Sequence, residues 1–314
     1  VGTKDGLNYF DRKLEIFKRY KHDPNDSKSL SNNKVKVIYE DKQNNLWIGT
    51  NDGLNLFNWE TEQFERFYSN NNDDFTISNN TINDIYEDNG NNLWVATDNG
   101  LNKYDRNTKK FTTYAQFFND YQIVHTTSFT SIMQDNTGIL WAGSFQGLLK
   151  IKNVKKKFRL YDKDQNNIPY FSNNYIISIF EQDGIVWLGT WGAGLYHFNP
   201  VTKEKKSFNT ENSNIVNDFI HKIYKLHNGN IWIGTQNGIN VYNSKTRKFD
   251  ILDTLDIFKT FKNNRIYDII EDHNKNIWVG SKYGLYQILE DTIISYLHSE
   301  SDSSSISSNE IYDI

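Results

Sequence analysis

The amino-acid sequence predicts an all-β fold, a seven-bladed β-propeller of four-stranded antiparallel blades, and three observations carry that prediction. Six of the eight tryptophans (Trp47, Trp94, Trp141, Trp187, Trp232 and Trp278) fall 45–47 residues apart. Each sits in one local phrase: LWIGTNDGLNLF, LWVATDNGLNKY, LWAGSFQGLLKI, VWLGTWGAGLYHF, IWIGTQNGINVY and IWVGSKYGLYQI. The two chain ends, finally, supply complementary parts of one further unit. Self-similarity at this period is the mark of a tandem array of supersecondary units.

Within each unit the chain reads as four short strands. The first precedes the Trp, as in VKVIYED at 35–41 and TINDIYED at 81–88. The second carries the Trp. After a Gly-bearing turn comes a third strand, such as LNLFN at 54–58, and then a fourth, as in QFERFY at 63–68 or KKFTTY at 109–114. Turns rich in Asn, Asp and Gly separate them, at Asp88-Asn89-Gly90 and Asn228-Gly229 after the first strand. Asp5-Gly6, Asp52-Gly53, Asn99-Gly100 and Asn237-Gly238 stand before the third. These residues accept the positive φ of a tight hairpin. No segment has a helical period.

Alternation along the second strand puts Leu46 and Ile48 on one face of the sheet and Trp47 on the other. A sheet apolar on both faces has to be sandwiched between neighbours, and a closed ring gives every blade two of them while leaving only short edges. The blade number comes from the ends. The opening VGTKDGLNYF matches the phrase that follows a Trp, and the closing EIYDI matches a first strand. Adding the roughly nine residues of repeat that separate those points brings the 314 residues to seven repeats of about 46. The expected blade units are 34–68, 81–114, 128–161, 174–208, 216–251 and 265–297 within one propeller spanning 1–314. A closing blade is expected to combine 308–314 with 1–20. A start one residue past a signature Trp also leads us to expect flanking repeats or another domain.

Composition fits this architecture. Hydrophobic residues make up only 37% while aromatics reach 15%, so Trp, Tyr and Phe must carry the core. The formal net charge of -4 argues against nucleic acid, whose binders need a basic stripe. With no cysteine there are no disulfides, thiolate metal sites or Cys nucleophiles. No apolar run approaches the ~20 residues of a membrane span, and no basic-then-apolar signal opens the chain. Membrane attachment is expected only through segments outside this sequence.

The repeat resembles the two-component regulator propeller repeat, of the form S-L-S-N-N-x-V-x-x-I-x-E-D-x-x-G-N-L-W-I-G-T-x-x-G-L-N-x-Y. It stands here as SLSNNKVKVIYEDKQNNLWIGTNDGLNLF at 29–57 and ISNNTINDIYEDNGNNLWVATDNGLNKY at 77–104, with weaker units at 128–151 and 216–242. The resemblance implies an extracytoplasmic, periplasmic sensor domain of a membrane-anchored histidine kinase, commonly of the hybrid type. It further implies an oligosaccharide ligand and, as partners, an adjacent propeller or β-sandwich of the same protein. A homodimer is a further expected arrangement. No phospho-acceptor helix or Gly-rich ATP-binding segment is recognisable, so signalling chemistry is expected elsewhere.

In a repeat fold, recurring residues are structural and function is expected where the repeat breaks. The recurring Glu-Asp pairs (Glu40-Asp41, Glu87-Asp88, Glu271-Asp272) are therefore read as turn and packing groups. The turn between second and third strands is polar in four units but aromatic at Phe145, Trp191 and Tyr283. Aromatic rings there can stack on a sugar face while neighbouring amides and charges bind hydroxyls. The inter-blade stretches Phe117-Phe118-Asn119-Asp120-Tyr121 with His125, and Ile168-Pro169-Tyr170-Phe171, are too apolar for plain loops and read as binding or docking surface. Lys282 and Arg265 are candidates for an anionic group, and Trp59 is expected to pack at the outer rim. The candidate ligand site is thus Trp191, Phe145, Tyr283, Lys282, His125, Tyr170, Phe171 and Arg265.

No catalytic residues, metal ligands or cofactor are expected. A glycosidase needs one carboxylate pair some 5–9.5 Å apart, whereas the regular acids here recur in several blades. The seven histidines have no HExxH spacing and no GxSxG turn is present. The alternatives are a scaffold propeller that docks a neighbouring domain and, behind it, a propeller glycosidase or lyase.

Overall fold

The computed structural model describes residues 1–114, 128–152, 157–161, 169–171, 175–252, 256–289 and 292–314. Seven four-stranded antiparallel sheets form a ring. Numbered in chain order, blades 1 to 6 span 35–67, 82–113, 129–161, 176–208, 220–251 and 266–296. In each of them the chain runs outward through four consecutive strands. Blade 7 is the shared one. Its innermost strand is Ile311–Asp313, and Gly2–Thr3, Gly6–Asp11 and Ile16–Tyr20 complete it. The inner strands of neighbouring blades lie against one another all the way round, and the ring closes where Ile311–Asp313 meets Val35–Glu40. Among the described residues the helical content is one 3-10 segment, Asp256–Phe261.

The alternation read from the second strand is what packs the ring. Trp47 joins Ile82, Val95 and Tyr104 of blade 2, while Leu46 and Ile48 join Leu7, Tyr20 and Val35 on the other side. Each blade is thus glued to two neighbours by opposite faces of one strand. The glycine two residues after the Trp sets how closely blades approach. A Cβ on Gly49 would lie 2.5 Å from Ile82 Cγ2, and one on Gly234 would lie 2.9 Å from Ile266 Cγ2. Blade 2 departs from the pattern, holding the fully buried Ala96 in that register.

The recurring aspartate pins the indole. Asp41, Asp88, Asp135 and Asp272 accept the Nε1–H of Trp47, Trp94, Trp141 and Trp278 at 2.8, 2.9, 2.8 and 3.1 Å. The same carboxylates close the first hairpin by accepting backbone N–H groups, as Asp41 does from Gln43 at 2.9 Å and Asn45 at 3.0 Å. In that hairpin of blade 2 the left-handed residue is Asn91 (φ 59°), one past the expected Gly90. Gly6, Gly53, Gly100, Gly229 and Gly238 take the positive φ expected of them.

Candidate functional site

Every inner strand begins with an aliphatic or aromatic residue buried between blades: Val35, Ile82, Phe129, Ile176, Ile220, Ile266 and Ile311. Directly after it the pairing register slips by one, a β-bulge that recurs in all seven blades. A bulge leaves an extra residue opposite its partner and re-aims side chains. The residue that follows the buried one therefore faces the central axis. These seven are Lys36, Asn83, Thr130, Ile177, His221, Tyr267 and Tyr312, and together they line one cavity of about 470 Å3 at the mouth of the ring.

Lys34, Asp98, Phe145, Tyr175 and Trp191 complete the lining from turns and inter-blade connections on the same face. The aromatic members form an arc. Phe145 stacks on Tyr175 with ring centroids 3.8 Å apart and planes at 17°. The arc continues Tyr175–Trp191 at 6.2 Å, Trp191–His221 at 5.6 Å, His221–Tyr267 at 5.8 Å and Tyr267–Tyr312 at 5.1 Å. Phe219 buttresses Trp191 edge-on at 5.3 Å, leaving the indole 42% exposed. Opposite lies a polar sector: Lys36 donates to Asn83 Oδ1, and Asn83 Nδ2 donates to Asp98 Oδ1 at 2.8 Å and to the Phe129 carbonyl at 2.8 Å.

Burial sets the charge state of this mouth. It pushes His221 down to about 4, with Arg265 adding to the effect, so the imidazole is neutral near pH 7. It also lowers Lys36, opposed in part by the Asp98 carboxylate. Tyr267 is raised to about 12, again chiefly by burial.

One residue further along each inner strand a second ring is reached: Val37, Asp84, Ser131, Ser178, Lys222, Asp268 and Asp313. Four of its acceptors take backbone N–H groups of the next blade. Asp84 accepts from Ile132 at 2.6 Å, Asp268 from Ile314 at 3.0 Å, Asp313 from Ile38 at 2.5 Å and Ser178 from Ile223 at 3.2 Å. These bonds lace blades together and account for the buried carboxylates as structural groups. Lys222 Nζ lies 2.5 Å from Asp268 Oδ1. Burial opposes the ammonium, but Asp268 and Asp313 outweigh it and raise the group. Asp84 is raised to about 6 by burial, the N–H bonds of Ile132 and Ile85 working against the rise. No group of three or more His, Cys, Asp or Glu among the described residues is placed to hold a metal ion.

A family model described as the two-component regulator propeller matches at five places, 29–52, 76–99, 170–192, 214–237 and 260–283. The chain is a propeller of two-component regulator repeats. Over 64 residues this propeller is 33% identical to Histidine kinase P4 of Formosa agariphila, which covers 19% of the chain and 5% of that protein. It is also similar to the extracellular domain of BT3049 from B. thetaiotaomicron, a protein assigned to the hybrid two-component systems. That likeness has a TM-score of 0.76 and 26% identity over 90% of this chain and 37% of that one. Virginiamycin B lyase from Staphylococcus aureus, at 12% identity and a TM-score of 0.62, shares the fold; the two cover 86% and 85% of each other. The propeller thus corresponds to about a third of the BT3049 domain and a small part of the kinase. No helix among the described residues is long and apolar enough to cross a membrane.

Of the residues singled out from sequence, two-component regulator propeller geometry brings Trp191 and Phe145 to the mouth. Arg265 stands just behind it, its guanidinium 3.3 Å from the Tyr267 hydroxyl. Tyr283, 53% exposed, and Lys282, whose Nζ lies 5.4 Å from the Tyr283 ring centroid, sit on the turn of blade 6 outside the cavity lining. Phe171 is corrected to a core residue, and Tyr170 is half-buried beside it. Phe171 is 1% exposed, packed with Tyr161, Tyr196 and Phe198, and Tyr170 packs against the same cluster. Phe171 precedes the first residue of its inner strand by five positions, where other units bury Leu30, Ile77, Ile215, Phe261 and Ile306. It is a repeat residue in aromatic form. His125 and the 117–121 stretch lie outside the described residues. Trp59 packs at the rim, edge-on to Phe57 at 5.0 Å and Tyr9 at 6.0 Å.

Six mouth residues of the inner strands went unremarked among individual candidates: Lys36, Asn83, Thr130, Ile177, Tyr267 and Tyr312. His221 was weighed only as a metal ligand. Their signal lay in the alignment of the repeats. The position between a constant apolar residue and the rest of the strand holds Lys, Asn, Thr, Ile, His, Tyr and Tyr in the seven units.

Proposed function

We propose that this chain is a ligand-sensing propeller from the extracytoplasmic region of a two-component signalling protein, and that its ligand is an oligosaccharide bound at the mouth of the ring. The observation that carries the reading is the arc from Phe145 to Tyr312 facing an amide-and-charge sector across one cavity. Sugars present apolar C–H faces and hydroxyl edges, and this mouth offers a partner for each. At about 470 Å3 the cavity falls within the roughly 300–1,000 Å3 of small-ligand sites. The likeness to extracellular domains of two-component proteins supports the cellular side of the reading. The chain supplies recognition, and phosphoryl transfer belongs to other parts of the whole protein.

Thermal shift against neutral and acidic oligosaccharides tests this. At a hundred times its Kd a ligand stabilises the fold by about 2.7 kcal/mol. Trp191→Ala, which removes an exposed ring from the arc, is expected to abolish that shift while leaving the unliganded midpoint within a few degrees. A shift retained in full by the variant would move the site away from the mouth. No shift with any saccharide would favour docking of a neighbouring domain on this face.

A further inference from the structure

The two halves of the mouth differ in charge as well as in shape. Its lining carries two ammonium groups, Lys34 and Lys36, against the single carboxylate of Asp98, and His221 adds no charge near neutral pH. Asp98 is engaged by Asn83 Nδ2 at 2.8 Å and Ser128 Oγ at 3.3 Å. Neither lysine forms part of an ion pair among the described residues. Lys36 is half-buried and donates to an amide oxygen, that of Asn83, while Lys34 Nζ rests 5.3 Å from the Tyr312 ring centroid at the end of the arc. Lys36 feels the Asp98 carboxylate without pairing with it, and an anion placed beside a partly desolvated ammonium whose hydrogen bond goes to a neutral amide gains a charge-assisted hydrogen bond.

We propose that the mouth selects an anionic oligosaccharide, whose carboxylate or sulfate is held by Lys36 and Lys34 while the sugar ring packs on the aromatic arc. This rests on the saccharide reading above and adds the charge of the ligand to it. The throat limits how far the anion descends. Asp84, Asp268 and Asp313 stand there around one lysine, and Lys222 is already paired with Asp268. The acidic group is therefore bound in the outer ring, beside the two unpaired lysines, and the rest of the chain of sugars follows the arc outward.

The experiment is calorimetric titration of the purified chain with matched panels: oligogalacturonides and their methyl esters, chondroitin-derived sulfated and unsulfated oligomers, and neutral xylo- and malto-oligosaccharides. The expected result is binding of an acidic member at least about tenfold tighter than its neutral counterpart, the margin of a charge-assisted over a neutral hydrogen bond. That margin is lost in Lys36→Met and kept in Lys36→Arg, with an unchanged circular dichroism melt establishing that both variants fold. Preference for the sulfated over the carboxylate members identifies which anion is read. Equal affinity for charged and neutral partners overturns the anionic assignment and leaves the saccharide reading standing. An acidic preference that survives in Lys36→Met overturns the role given to that lysine. No binding in any panel overturns both readings together.

Discussion

Arg106 lies just past the third strand of blade 2 and forms two ion pairs, one across to blade 1 and one within its own blade. Nη1 reaches Asp41 Oδ2 at 2.6 Å and Nη2 reaches Glu87 Oε1 at 3.0 Å, and both carboxylates have fully buried side chains. Glu87 also accepts the backbone N–H of Lys42 at 2.7 Å, so the network spans both hairpins. Replacing Arg106 with Met keeps much of the stem and removes the charge. Two buried carboxylates then lose their shared counter-charge, a situation that costs about 3–5 kcal/mol. Asp41 retains the Trp47 indole and backbone donors, which places the expected loss near the lower end, about 3 kcal/mol. In urea at neutral pH this amounts to a midpoint lowered by on the order of 1 M. The pH dependence supplies an independent check. Burial alone would raise Asp41, but the bonds from Trp47, Arg106 and Asn45 outweigh it and hold the carboxyl down at about 2, from an ordinary 3.8. A depressed carboxyl contributes stability above its unfolded value and loses it as pH falls through the folded one, here roughly 2 kcal/mol between about pH 4 and pH 2. In Arg106→Met the carboxyl binds its proton at higher pH, so the gap between variant and wild type should narrow on acidification. A loss below about 1 kcal/mol at neutral pH, or a gap independent of pH, would refute the account.

Two further perturbations follow from the inner strands and the core. Asp84→Asn should stabilise the ring at neutral pH, because the folded state holds the carboxyl at about 6 against an ordinary 3.8. Wild-type stability then falls as pH rises through that window, the Asn variant gains up to about 3 kcal/mol above it, and the two converge below it; parallel urea curves at pH 4 and pH 7 read the difference. Phe171→Ala should cost about 3–5 kcal/mol by leaving a cavity among Tyr161, Tyr196 and Phe198. The same variant should keep the ligand affinity of the wild type in calorimetry, which separates this core residue from the mouth.

The sequence carried the ring because the ring is periodic. Trp47 and its counterparts, the aspartate six residues upstream of four of them and the following glycine do the same work in successive blades, so their recurrence alone told structural from functional. The shared blade was legible for the same reason, since Gly2–Thr3 and Ile311–Asp313 are recognisable fragments of a unit whose other copies are intact. Phe171 was misread because it replaces an aliphatic plug by an aromatic one: chemistry changed while position did not, and composition drew attention where register should have decided. The opposite error hid Tyr267 and Tyr312. A tyrosine in a β-strand looks unexceptional, and strict alternation assigns neighbouring residues to opposite faces. The bulge breaks that alternation, and nothing in a single strand announces it.

That bulge separates the positions that hold the ring together from those that line its mouth. Without it, Ile266 and Asp268 would face one way and Tyr267 the other, so a residue chosen for a ligand would also be pressed between blades. With the register slipped, Ile266 stays buried against the neighbouring blade while Tyr267 faces the mouth and Asp268 takes the N–H of Ile314 in the throat. Each blade thereby contributes one position to the mouth, and four blades add one, Asp84, Ser178, Asp268 or Asp313, that takes a backbone N–H of the next blade. Seven such positions, free to differ, surround a single cavity, and the asymmetry of that cavity arises from which blades carry rings and which carry Lys36, Asn83 and Thr130. On the function proposed above, a change of ligand calls for substitutions at the residue after the buried apolar one, and leaves the tryptophans, their aspartates and the glycines where they are.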